Sequence, residues 1–242
     1  MRKADIINRY KPVIEKWEDP YFVTLTVKAC KAHQLGSYFN VLNKTFSKII
    51  DKHKKRHQRG KGMKLMGIKS LESNFNPLRK TYNPHLHVIV ANKEMAYILL
   101  DEWCDRAKKG YVNRKGQKAV KVWNLDNALV EIIKYGSKVF TEPDLKKRAK
   151  ETAAPQIYMN ALYTILNAMK SKRIFDRFGF NLPTEAKLKH YPATLLDNFR
   201  EWEFNAKTND WNNTSTGEAL TQYNMPSNLQ ALLENNINVT LK

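Results

Sequence analysis

Apolar positions alternate and then fall at helical spacing in turn along the chain. Residues 21–28, YFVTLTVK, alternate with period two and predict a strand of the sheet core. After Gly36 and Ser37, the residues Tyr38, Leu42, Phe46, Ile49 and Ile50 recur at helical intervals, predicting a helix that runs into His53. A second strand is predicted over 63–72. A polar loop with Asn74, Asn76 and Pro77 then leads to a third over 81–90, TYNPHLHVIV, adjacent and antiparallel to the second. Asn92 precedes a periodic helix, KEMAYILLDEWCDRAKK, which ends in basic residues and stops at Gly110. KAVKVW is a short strand candidate. NLDNALVEIIKYGSKVF follows as a helix broken by Pro143, residues 144–154 read as a linker or helix start, and PQIYMNALYTILNAMKSKRIF is one more helix. The pattern predicts an α+β fold, a central antiparallel sheet with flanking helices.

The third strand carries an anomaly. Strand side chains alternate between faces, so His85 and His87 emerge together while Leu86 and Val88 point the other way. Two imidazoles on one face can begin a metal site, and a divalent ion there needs an oxygen ligand from a neighbouring strand. Glu72 is the candidate: it is the only acid between Asp51 and Glu94, within a strongly basic stretch. H-x-H alone leaves metal binding and coincidence equally open.

Charge changes the picture most. The 242 residues carry a formal +19, which attracts polyanions and makes nucleic acid the leading partner. Residues 209–242 carry Lys242 against Asp210, Glu218 and Glu234; +19 overall and −2 in this tail leave +21 on residues 1–208. The tail is set apart as Asn- and Thr-rich and partly ordered, with PSNLQALLENN as a short helix candidate. Two basic patches stand out, KHKKRHQRGKGMK from Lys52 and DRAKKGYVNRKGQKAVK from Asp105. Their candidate DNA-binding residues are Lys54, Lys55, Arg56, Arg59 and Lys61 in the first, and Lys108, Lys109, Arg114 and Lys115 in the second. Only Cys30 and Cys104 are present, without a CxxC pair, which excludes a cysteine zinc finger and argues for two buried free thiols. No apolar run approaches membrane-spanning length and the first residues lack a secretory h-region, so a cytoplasmic protein with no membrane partner is expected.

A tyrosine hydroxyl, with pKa near 10, is a weak nucleophile unless its target is polarised or a base takes its proton. In EIIKYGSK, helical spacing puts Glu131 one turn before Tyr135 and Lys138 one turn after it, joining an acid, a hydroxyl and a cation on one face. Alone, such a stripe is more often an exposed ion-pair face. His53 and His57 share i, i+4 spacing, yet Lys54 stands where a zinc protease has Glu, so a basic helix face is the reading. The five tryptophans, Trp103 among them, are expected in the core.

PHLHVIV resembles the histidine-hydrophobic-histidine motif of the HUH endonucleases, KYGSK looks like their Tyr-x-x-Lys motif, and FVTLTVK is similar to their first motif. The order resembles that of rolling-circle plasmid replication initiators over about residues 20–180. The resemblance implies an RRM- or ferredoxin-like palm over residues 1–182, with 183–242 as an appendage, and a metal-dependent enzyme that nicks one DNA strand at an origin. His85, His87 and, by position, Glu72 would hold Mg²⁺ or Mn²⁺. Tyr135 would attack the phosphate, giving a 5′-phosphotyrosine and a 3′-OH for a host polymerase to extend while a helicase unwinds. Glu131 matches the residue that activates water in the terminating cleavage of some one-tyrosine initiators, and Lys138 the motif lysine. A transposase or mobilisation relaxase shares this chemistry and is the alternative within the superfamily. A cupin-type oxygenase fits poorly, because Glu94 lies past the strand end and nine Gly are too few for a turn-dense double sheet. A non-enzymatic nucleic-acid-binding sheet would leave the paired histidines without a task.

Overall fold

A computed structural model describes residues 3–106, 110–133, 155–183, 202–208, 210–213, 216–219 and 222. The elements in chain order are α1 (Lys3–Ile14), β1 (Tyr21–Thr26), α2 (Leu35–Gln58), β2 (Gly67–Asn76), β3 (Thr81–Val90), α3 (Lys93–Arg106), β4 (Lys118–Lys121), α4 (Leu125–Ile133), α5 (Pro155–Met169) and β5 (Phe175–Phe178), followed by β6 (Trp202–Asn205) and β7 (Asp210–Asn213). Short 3₁₀ turns at Ala32–Gln34 and Arg114–Gly116 complete the described elements. The first five strands form one sheet of order β4-β1-β3-β2-β5, every pairing antiparallel, with helices on both faces. The fold is α+β, as the pattern predicts, and the two-histidine strand is its centre.

Alternation sorts the core into two unequal layers. Val23 and Leu25 of β1, Leu71 and Phe75 of β2, and Leu86, Val88 and Val90 of β3 face α2, α3 and α5, where Phe39, Leu42, Phe46, Leu99, Trp103 and Ile165 are buried with them. On the other face Ile68 and Ile89 meet a smaller layer from α1 (Ile7, Tyr10, Ile14) and α4 (Leu129, Ile132, Ile133). Burying a Leu, Ile or Phe side chain stabilises by about 1.5–3 kcal/mol, so the larger layer dominates the stability.

Several boundaries differ from expectation for identifiable reasons. β2 begins at Gly67 and runs to Asn76, four residues later than predicted at both ends. Its register is set by the hairpin, Asn76 opposite Thr81 across a turn in which Lys80 takes a positive φ of 48°, and ladder pairing draws Asn74 and Asn76 into the strand. Gly67 marks the close approach of the backbones, since a Cβ there would lie 2.2 Å from the Ile89 carbonyl oxygen. α2 extends beyond His53 to Gln58. α1 was not foreseen, because Pro12 inside it argues against a helix. The helix predicted to continue to Phe175 stops at Met169, and Ser171 with φ 61° turns the chain into β5, an edge strand too short to show a period. Within 183–242 the described residues include the β6–β7 hairpin, also unforeseen. The helix proposed within PSNLQALLENN lies outside the described residues.

Trp103 is core, its indole N–H donating to the Thr26 carbonyl at 3.2 Å, but Trp123 is 84% exposed and Trp211 is exposed as well, against the expectation that all five are buried. Cys30 is buried and Cys104 half-buried, both free. His53 is buried instead of lining a basic face, its Nε2 3.3 Å from Glu102 Oε1. No described helix is long and apolar enough to cross a membrane.

Candidate metal centre

The register of three strands builds the centre. On β3, His85 stands opposite Glu72 of β2 and Thr26 of β1, and His87 opposite Ser70 and Thr24. Directly opposed residues share a face, so two imidazoles, a carboxylate and three hydroxyls converge on one side of the sheet. Glu72 is in mid-strand here and not at a strand end, which seats it deeper than expected: Glu72 is 4% and His85 6% exposed.

Glu72 sits between the imidazoles. His87 Nδ1 lies 3.3 Å from Oε1, His85 Nε2 lies 3.8 Å from Oε2, and the rings are 4.7 Å apart between centroids. Ser70 Oγ–H donates to Glu72 Oε1 at 2.8 Å and orients it. His85 Nδ1 is 2.9 Å from the Asn83 carbonyl oxygen, which only accepts, so Nδ1 carries the proton and the Nε2 lone pair is turned toward Glu72. Phe22 packs on His87 with ring centroids 5.0 Å apart.

Burial pushes the Glu72 carboxyl up, but the two imidazoles and the Ser70 hydroxyl outweigh it and hold the group below its ordinary value, ionised at neutral pH. Burial lowers His85, the neighbouring His87 lowers it further, and Glu72 only partly opposes them, so its imidazole is neutral. An anionic oxygen beside the neutral His85 imidazole suits metal ligation.

The buried Nδ1 of His87 has no hydrogen-bond partner among the described residues, since its approach to Glu72 is not aligned for one. A buried polar atom of that kind costs about 1–3 kcal/mol unless something satisfies it. Ligand atoms of Glu72, His85 and His87 all lie within 4.8 Å of one another. Coordination bonds of about 2.0–2.2 Å place ligand atoms on one ion roughly 3–4 Å apart, so small side-chain adjustments close the cluster on a cation. The donor set, the deprotonated state and the orphaned nitrogen all fit a divalent metal.

A cavity of about 310 Å³ opens over the cluster, lined by Thr24, Thr26, Glu72, Asn74, Asn83, Pro84, His85, His87 and Glu131. α4 delivers Glu131 to it while Leu129, Ile132 and Ile133 anchor the helix beneath. The structure therefore brings together Glu72, His85, His87 and Glu131. Tyr135 and Lys138 lie outside the described residues, as do Lys108 and Lys109. Lys54, Lys55, Arg56, Arg59 and Lys61 are exposed at the end of α2 and just beyond, and none lines this cavity. Arg56 instead lines a groove with Glu94, Asp101, Glu102 and Asp105. Arg114 and Lys115 are exposed in the 3₁₀ turn before β4.

Sequence reasoning passed over Ser70, Thr24 and Thr26. Ser70 is two residues before Glu72 and so on its face, while Thr24 and Thr26 alternate with buried Val23 and Leu25; period two was the available signal. Gln117 was also missed, and nothing local marks it. Its side chain accepts from the Thr26 N–H at 2.7 Å and donates to Asn113 O at 2.8 Å, holding the end of β1 to a distant loop.

No protein-family model, curated protein or solved structure matches the chain.

Proposed function

We propose that the chain is a metal-dependent single-strand DNA endonuclease and strand transferase of the HUH type, acting as a plasmid rolling-circle replication initiator in the cytoplasm. The observation that carries the reading is the buried Glu72–His85–His87 cluster on the central strands of an antiparallel sheet, in a chain of formal charge +19. A non-enzymatic nucleic-acid-binding sheet would explain the charge but gives no reason to bury a carboxylate between two imidazoles.

Glu72, His85 through Nε2 and His87 through Nδ1 would hold the ion, Mg²⁺ or Mn²⁺. When bound it supplies Lewis-acid polarisation of a phosphate oxygen. The Thr24 hydroxyl and the Asn83 amide at the cavity wall are the chain's means of orienting a phosphodiester there. Tyr135 is the nucleophile of this reading. Its Oη forms a bond to phosphorus as the bond to the 3′ oxygen breaks, the phenolic proton is released, and the departing oxygen takes up a proton as the 3′-OH. The phosphotyrosine conserves the bond energy, so rejoining needs no ATP. Glu131, at the cavity wall, is the base for water in the terminating cleavage, and Lys138 the partner of the phenolate or phosphate.

The test incubates purified protein with single-stranded oligonucleotides, including hairpins, and Mn²⁺, then looks for an SDS-resistant protein–DNA adduct. Wild type forms it, and Tyr135→Phe and chelation each abolish it. An adduct that persists in Tyr135→Phe, or its absence across a broad origin library, overturns the proposal. Glu131→Ala keeps the first nick and impairs termination; equal loss of both steps would remove Glu131 from its role.

A further inference from the structure

Beside the metal-centre cavity lies a larger one, about 500 Å³, lined by Thr26, Val27, Lys28, Gly110, Tyr111, Val112, Asn113 and Arg114. The two share Thr26. Among the described residues their linings are opposite in charge: the first offers Glu72 and Glu131 and no Lys or Arg, the second offers Lys28 and Arg114 and no acid. An acidic pocket suits a cation and a cationic pocket suits a phosphate, so the pair is matched to a ligand that brings a metal-bound phosphate and a second phosphate a short step away.

We propose that the second cavity seats the phosphate of a nucleotide neighbouring the one whose phosphodiester lies at the metal centre. This rests on the endonuclease reading of the metal centre.

The wall between the cavities is built to stay in place. Gln117, buried, accepts from the Thr26 N–H and donates to Thr26 Oγ1 at 3.1 Å, and the Thr26 hydroxyl donates to the Gly116 carbonyl at 3.3 Å, so a side-chain amide continues the ladder just before β4 begins. The Lys28 N–H donates to the Tyr111 carbonyl at 2.8 Å and ties the far wall to β1. Tyr111 stacks on Tyr38 at 5.4 Å between centroids, and Lys28 Nζ is 4.2 Å from the Tyr111 ring centre, which holds the ammonium at the cavity. Arg114 pairs with Asp101 at 2.6 Å, but both side chains are more than half exposed. A pair so exposed contributes little, and a phosphate can replace Asp101 as the guanidinium's partner.

The experiment uses the full chain carrying Tyr135→Phe, so that the DNA is not consumed, and an oligonucleotide that the wild-type protein nicks. Each phosphate in turn is made a neutral methylphosphonate and binding is measured by fluorescence anisotropy with Mn²⁺. Two sensitive positions are expected, the scissile phosphate and one neighbour. Adding Lys28→Ala and Arg114→Ala, both at exposed sites, makes the neighbour silent, leaves the scissile position sensitive, and lowers the slope of log affinity against log salt by about 0.7, the value for one phosphate on single-stranded DNA. If wild type forms its adduct but no neighbouring position is sensitive, or the neighbour stays sensitive in the double variant, this proposal fails and the endonuclease reading stands. If wild type forms no adduct on any strand, both fail.

Discussion

The two faces of β3 have been put to opposite uses. Leu86, Val88 and Val90 enter a predominantly apolar layer, and each is fully buried. His85, on the reverse, shares its burial with Glu72 and Ser70, and the half-buried His87 keeps a nitrogen without a hydrogen-bond partner among the described residues. One face closes on itself; the other keeps unmet valence under a cavity. The contrast teaches that the larger layer, under α2, α3 and α5, carries enough stability for the smaller one to keep a costly polar centre.

Exchanging the chemistry of the two faces breaks the comparison most sharply. Leu86→Asp places an unpaired carboxylate among apolar side chains and should leave no folded protein, seen as loss of the cooperative thermal transition by circular dichroism. His87→Leu, one residue away, should retain the fold with an equal or higher Tm, because it removes a buried polar atom that lacks a hydrogen-bond partner among the described residues. The same variant loses one of the three residues that could hold a metal ion. Its Mn²⁺ affinity by calorimetry should fall by more than the roughly 10- to 100-fold typical of an outer-shell loss. A His87→Leu chain that melts far below wild type would show that the histidine face carries the fold too.

Ser70→Ala makes a finer cut, since it removes the donor that orients Glu72 and leaves every ligand in place. Metal affinity should drop by about tenfold and stability by about 1 kcal/mol. No change in affinity would mean that packing alone aligns the carboxylate.

How much of this was legible follows from the range of each signal. Period two alone put His85 and His87 together, and Glu72 stood out as an isolated acid, because both are properties of a few adjacent residues. The ends of β2 were not local: Gly67 starts the strand because β3 approaches too closely for a Cβ, which no reading of 63–72 contains. β5 exists only as a partner for β2, and Gln117 reaches Thr26 from a loop 91 residues away. The exposed Trp123 misled for a related reason, since composition says nothing of which aromatics a fold covers. Local pattern carried the centre of the site, and tertiary contact supplied its walls.

An effect that depends on pH comes from a buried cation of the apolar face. Lys69, three residues before Glu72 and on the opposite side, donates to Asn43 Oδ1 at 2.8 Å and lies 5.6 Å from the Phe46 ring centre. Burial lowers its pKa to about 8; Asp176, opposite it on β5, works against this and Arg173 with it. The unfolded chain keeps that proton to about 10.5, so between these values it binds more protons than the folded chain, and stability rises with pH. The slope reaches at most about 1.4 kcal/mol per pH unit for one proton. Below pH 8 both states are charged and the full burial penalty remains. Cys30 acts in the opposite sense, because burial raises its thiol from 9.0 to about 11 and the folded chain holds a proton that the unfolded one has lost. A direct pH curve therefore mixes the two. Subtracting the denaturation free energies of Lys69→Met from those of wild type isolates the lysine, and the difference should climb in favour of wild type from pH 8 to 10.5. A flat difference would mean that Lys69 reaches water in the folded state and that the larger layer is less dry than its partner face requires.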